Sequence, residues 1–489
     1  MLFNSYIFIF VFLPITLIGY FVCNRWGKYR LANIFLIGMS LWFYGYFNIT
    51  YLPIICGSIL VNYFFSRTIS NLTIGKKWRT ILMIVGVAAN IAVIFYFKYF
   101  DFFLENVNTI FHRNFELKNI VLPLGISFFT FQQVSYLVDS YRTQETRDYG
   151  FIEYTLFVLF FPQLIAGPIV LHKEMIPQFR DEQNKRFQSE NFARGMYIFA
   201  IGLFKKVLMA DTFSKAVSLG YSNVENLTSL EALIVSFSYT FQIYFDFSGY
   251  CDMAMGISSM FNISLPQNFN SPYKATSIID FWNRWHMSLT RFLREYVYFP
   301  LGGNRKGKVR TYINVLIVFL VSGIWHGANW TFIVWGMLHG VAQCLNRVFK
   351  NVWAKVGVVT QWFMTFMFVN IAWVVFRARD LKEAALFLKR MILLDSFGIR
   401  RDLWARYEWI EIKYLATHVL RPLGYVEGII DGLYMWILLF VSFFIVLNVK
   451  NSSEIAFRPT MGRSIATIIM VVWSVMSLAG VSEFLYFNF

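Results

Sequence analysis

Three histidines in apolar company are the residues best placed to do chemistry. His326 and His339 stand in VSGIWHGANWTFIVWGMLHG, Val321 to Gly340, which holds no Asp, Glu, Lys or Arg. His286 stands in DFWNRWHMSLTRFLREYVYFP, among Trp282, Trp285, Leu289, Phe292, Leu293 and Tyr296, which recur at helical spacing. Charging an imidazole where water is scarce is costly, because desolvation disfavours the cation, so the neutral ring is the expected resting form. A neutral imidazole can take the proton of a hydroxyl as that hydroxyl attacks a carbonyl, and a dry site suppresses competing hydrolysis. Such conditions suit acyl transfer from a thioester to an alcohol, and they suit a transporter's proton relay equally well. His326, between Trp325 and the side-chain-free Gly327, is the stronger candidate base; His339 reads as structural. On one straight helix the two would lie about 220° apart around the wheel and roughly 20 Å apart along it, so they cannot form a dyad there. No HExxH-like spacing accompanies them, and no metal is expected.

The elements that must position these residues belong to a membrane protein. Of 489 residues, 57% are hydrophobic, 20% aromatic and only 15% charged, with a mean hydropathy of +0.51. Apolar runs recur at 5–22, 31–47, 49–65, 80–97, 120–138, 152–171, 194–210, 230–247, 311–329, 331–348, 358–376, 431–449 and 464–481; about 20 such residues cross a hydrocarbon core as a helix. The expected fold is all-α and polytopic, with about 11 to 13 hydrophobic helices, some re-entrant or interfacial. No linker divides residues 1–489, which form one unit: N-terminal helices over 1–119, a motif-bearing core over 120–345 and C-terminal helices over 346–489.

Apolar residues come first and the basic cluster NRWGKYR (Asn24 to Arg30) follows, which fits a retained first helix with its N-terminus outside. GKKWR (Gly75 to Arg79) and YRTQETR (Tyr141 to Arg147) then fall on the same side, labelled cytoplasmic by their Lys and Arg. The net charge of +16 reflects this topology and contact with anionic lipid headgroups; nothing supports nucleic-acid binding. Cys23, Cys56, Cys251 and Cys344 form no close pair, so neither a disulfide framework nor a thiolate metal site is expected.

Polar or helix-breaking residues interrupt the apolar pattern at three further places. FFPQLIAGPIVL (Phe160 to Leu171) is either a broken segment lining something or a proline-kinked spanning helix. YFDFSGYCDMAMG (Tyr244 to Gly256) ends an uncharged run with Asp246 and Asp252, which are costly at depth unless paired, facing a cavity or near the interface. The His286 segment from Asp280 reads as one amphipathic helix, with Asn283, Arg284, Thr290, Arg291 and Arg294 off its aromatic stripe. Pro300 stops it, and GGNRKGK supplies a basic turn suited to headgroups or to a phosphate.

LPLGISFFTFQQVSYLVDSYR, FPQLIAGPIV, YFDFSGYCDMAMG, the stretch from Leu265 to Gly307 and SGIWHGANWTFIVWGMLHG resemble, in content and order, the membrane-bound O-acyltransferase (MBOAT) family. Within it they look most like the bacterial branch that contains the alginate O-acetyltransferase membrane subunit. The resemblance implies helices around a tunnel and a catalytic His326 in the WHG motif. The His of the WHxS motif matches His286. Trp325, Asn283, Arg284, Arg294 and Asp246 are weaker candidates for substrate binding. It also implies acetyl-CoA or another acyl thioester as donor with no bound cofactor, and a secreted or membrane-anchored acetyltransferase partner. The implied acceptor is an exported cell-surface polysaccharide, and the setting a bacterial plasma membrane. D-alanyl transfer to teichoic acid by a related branch is the alternative, and a transporter or flippase is the rival from another class.

Overall fold

A computed structural model describes residues 1–489 except 144, 395, 410, 415–417, 419–426, 456, 479–483 and 486–489. Among the described residues every regular element is helical. Five segments are long and apolar enough to cross a bilayer: Phe8–Arg25, Ile49–Ser70, Lys76–Phe111, Lys308–His326 and Val358–Arg377. Gly432–Asn448 and Met461–Met476 are shorter apolar helices, and positions 479–481 of the last expected run lie outside the described residues. The other runs are helical too; one breaks at Phe160, and others carry buried polar groups, such as His339 in Trp330–Val348.

α1 (Leu13–Arg25) follows a π-turn at Phe8–Phe12 and opens on Pro14, whose missing N–H would lack a partner at a helix start anyway. α2 (Lys76–Ile94) continues through a π-turn at Phe95–Tyr99 into a further helix ending at Phe111. α3 (Ile126–Arg142) begins after Gly125, whose φ of +72° suits glycine. The proline-interrupted run is broken rather than kinked. A helix at Phe151–Leu159 gives way to one turn at Phe161–Leu164, then to irregular chain, before His172–Arg180 resumes. Every residue from Phe160 to Leu171 is buried, so this backbone packs against protein, as membrane depth requires.

α4 (Ser189–Phe204) ends in a π-turn at Lys205–Ala210 and packs along α5 (Ser229–Met260). Here glycine faces glycine: a Cβ on Gly202 would lie 2.6 Å from the Gly249 carbonyl oxygen, and one on Gly195 2.5 Å from that of Gly256. Small residues let membrane helices approach this closely. α5 spans 32 residues, so the helix continues past both Asp246 and Asp252, and both are buried within it. Both are met by cations from the π-turn: Lys206 Nζ stands 2.7 Å from Asp246 and 2.8 Å from Asp211, and Lys205 Nζ 2.6 Å from Asp252.

The expected continuous helix around His286 is two helices, α6 (Ile278–Arg284) and α7 (Met287–Leu293), joined at Trp285 and His286. His286 adopts φ +45°, which ends the stripe that regular periodicity predicts. Asn268 holds the joint open, its carbonyl oxygen accepting from Met287 N at 2.9 Å and its Oδ1 from Ser288 N at 3.2 Å. α8 (Lys308–His326) and α9 (Trp330–Val348) then form a hairpin, and Asn329 caps α9 by accepting from Thr331 N at 3.0 Å. α10 (Val358–Arg377) lies against α9, and α11 (Met461–Met476) against α4.

Candidate active site

α8 ends on His326, and the hairpin turn delivers its imidazole into a ring of aromatic side chains. Ring centroids lie 4.8 Å away for Trp325, 4.9 Å for Trp335 and 5.4 Å for Phe376. Gly327 is needed here for a specific reason: a Cβ would run into the Phe332 ring. The group that exploits the missing side chain is therefore the protein's own Phe332.

Trp325 joins His326 to His286. Its ring packs edge-on to His286 at 5.9 Å and stacks on Phe131 of α3 at 5.3 Å. His286 Nδ1 lies 3.1 Å from Asn268 Oδ1, which also accepts from Ser288 N and, at 2.8 Å, from Ser288 Oγ. Asn268 Nδ2 donates to Cys251 Sγ at 3.3 Å, which orients the amide. An oxygen facing these donors can only accept, so the neutral His286 carries its proton on Nδ1 and presents a lone pair at Nε2.

His339 joins the same assembly from the next helix. Trp335 lies between His326 and His339, its ring 4.9 Å from the first and 5.0 Å from the second. Trp282 Nε1–H donates to His339 Nδ1 at 3.1 Å, a bond that fits the structural role. His326 and His339 stand on the two arms of the hairpin and not on one straight helix, so a single ring can lie between them.

Lys98 escaped the sequence reading. The π-turn at Phe95–Tyr99 presents two consecutive residues to the end of α8. Lys98 Nζ donates to the carbonyl oxygens of Trp325 at 2.6 Å and His326 at 3.2 Å, and the Tyr99 hydroxyl to that of Ile324 at 2.5 Å. The last carbonyls of a helix lack intrahelical partners, and a cation there also meets the negative end of the helix dipole. The signal was a lone lysine one residue beyond the run at 80–97.

The remaining candidates lie apart from this assembly. Asn283 and Arg294 are exposed, and Arg284 pairs with Asp280 at 2.8 Å and donates to the Asn270 carbonyl oxygen at 3.3 Å. Asp246 accepts from Lys206 and, at 2.9 Å, from Leu485 N. Asn268 belongs in the site instead, and it lies in the quoted Leu265-to-Gly307 motif. Among the described residues no group of His, Cys, Asp or Glu has metal-holding geometry. His326 is 3% exposed and His286 fully buried, so a substrate must pass or displace the surrounding rings to reach either.

The model of the membrane-bound O-acyltransferase family matches residues 41–378, which include α2 to α10, both site histidines and the helix-capping Lys98. The chain belongs to this family. As an MBOAT it is an O-acyltransferase and a multi-pass membrane protein. It is 45% identical over 428 residues to the peptidoglycan O-acetyltransferase of Helicobacter pylori, a match covering 82% of this chain and 81% of that one. It is 37% identical over 403 residues to the probable alginate O-acetylase AlgI of Pseudomonas aeruginosa, covering 81% and 75%. Similarity to the teichoic acid D-alanyltransferase of Bacillus subtilis is 29% over 248 residues, covering 48% and 62%. This MBOAT therefore aligns along most of its length with the O-acetylating relatives and along half of it with the D-alanylating one.

Proposed function

We propose that this MBOAT transfers an acetyl group from a cytoplasmic thioester of the acetyl-CoA class toward hydroxyls of an exported cell-surface polysaccharide. An extracytoplasmic acetyltransferase partner completes the delivery, and the enzyme works in a bacterial plasma membrane with its N-terminus outside. The observation that carries the reading is the placement of His326 and His286 on either side of Trp325, in a chain alike over four-fifths of its length to a peptidoglycan O-acetyltransferase. That relative makes a glycan of the cell wall the favoured acceptor.

His326 acts as general base. It takes the proton of the acceptor hydroxyl as the oxygen attacks the thioester carbonyl, and returns that proton to the departing thiolate, so the ester forms as the C–S bond breaks. His286, held in one tautomer by Asn268, orients or polarises donor or acceptor through Nε2. Lys98 and Tyr99 keep the end of α8 in register so that the His326 ring stays aimed.

The test is alkali-releasable acetate on extracellular polysaccharide and cell wall in a deletion strain carrying wild type, His326→Ala or His339→Ala at equal membrane abundance. Loss of ester in His326→Ala alone, with polymer export intact, supports the reading. Unchanged ester in all three strains, with export or a solute flux reduced, assigns the buried histidines to transport.

A further inference from the structure

Far from the histidines, a cavity of about 1030 Å³ runs along α1. Its walls are apolar side chains such as Ile9, Leu13 and Leu17 from the α1 side, Phe199 from α4 and Val471 from α11. One end is different in kind: Arg25, Lys185 and Arg186 line it together. Among the described residues none of these cations stands within 4.0 Å of a carboxylate, unlike Lys205 and Lys206 deeper in the fold. Lys185 sits over the Tyr29 ring at 4.1 Å, so its ammonium is presented at the mouth by an aromatic platform.

The dimensions select the occupant. From Ile9 to Arg25 the helical rise is about 24 Å, close to the depth of one leaflet with its headgroup region, roughly 20–22 Å. A groove that is apolar for one leaflet and cationic at the end complements a molecule with an acyl chain and a phosphate.

We propose that this groove is a binding site for one anionic phospholipid of the surrounding bilayer, its chains against α1, α4 and α11 and its phosphate against Arg25, Lys185 and Arg186. The lipid bridges α1 to α4, the partner of the buried α5, and so couples the rim of the bundle to its core.

The test uses the full chain purified in detergent and exchanged into equimolar phosphatidylglycerol and phosphatidylcholine, with bound lipid counted by native mass spectrometry. Each cation near a headgroup contributes about fivefold in affinity, so wild type should retain phosphatidylglycerol over phosphatidylcholine by at least about tenfold. Arg25→Gln/Lys185→Gln/Arg186→Gln should bring that ratio below about twofold, whereas Lys76→Gln/Lys77→Gln, at a basic helix start off the groove, should leave it in place. Leu17→Trp, which fills the wall, should lower retention of both lipids. Should the triple variant not fold, raising the salt on wild type takes its place and should erode the preference. Equal retention of the two lipids by wild type overturns the proposal. So does an equal loss in the Lys76/Lys77 variant, or unchanged retention in Leu17→Trp; either means general attraction to a basic surface and no site.

Discussion

Two regions of this MBOAT bury polar side chains among apolar helices, and they do so by opposite means. Between α4 and α5, Lys205 and Lys206 each meet a carboxylate within 2.7 Å, and facing glycines press the two backbones together. Around the α8–α9 hairpin, three histidines are set among tryptophan and phenylalanine rings, and the nearby cation of Lys98 is spent on helix carbonyls. Full charges at depth demand partners and then hold geometry. Neutral imidazoles can be buried without counter-charges, which keeps them available to accept a proton. The first region is built to stay as it is, and the second is the one in which the proposed function places the reaction.

The sharpest way to break that contrast is His326→Ala, which should lower glycan ester content on the order of 10²-fold or more while thermal stability in detergent stays put. A parallel fall in stability would place His326 with the structural pairs. Lys206→Met should do the reverse, costing about 3–5 kcal/mol because Asp246 and Asp211 lose their shared partner in a buried site. Pairing it with Asp246→Leu should restore part of the melting temperature, and a double variant no better than the single would refute the ion-pair account. Asn268→Leu should reduce ester formation by about 10- to 100-fold, taking the cost of losing the group that orients a metal-ligating histidine as the guide. In a His286→Ala background the same change should add little, since both act on one ring. Lys98→Met should lower activity about tenfold and Lys98→Arg recover most of it, as expected of a cation on a helix C-terminus. Arg294→Gln, on an exposed side chain outside both regions, should change ester content by less than about twofold; a larger loss would bring the basic face of α7 into the site.

Much of the histidine region is legible along the chain because its signals are local. Histidine without charged neighbours, glycine after histidine and proline inside an apolar run are each visible in a window of a few residues. The aspartates of α5 were visible too, but the run of uncharged residues stops before the helix does. A lysine pair on another segment lets the helix continue, and no window around Asp246 contains Lys206. Periodicity puts His286 on a regular stripe because it assumes unbroken helix; Asn268, on another segment, supplies the bonds that break it. Lys98 was missed for the converse reason, since its role is defined by carbonyls more than two hundred residues away.

The sequence alone determined that this is an all-helical membrane protein, that His326 stands in an uncharged apolar run at a WHG motif, and which family it belongs to. Composition, periodicity and motif order carry those facts without reference to folding. Only the tertiary structure decided that His286, His326 and His339 share two tryptophans, that Lys98 and Tyr99 clamp the end of α8, and that Asp246 belongs to a lysine. The reason is physical: helix formation is governed by neighbours within a turn or two. Which rings and charges meet depends on how the finished helices pack.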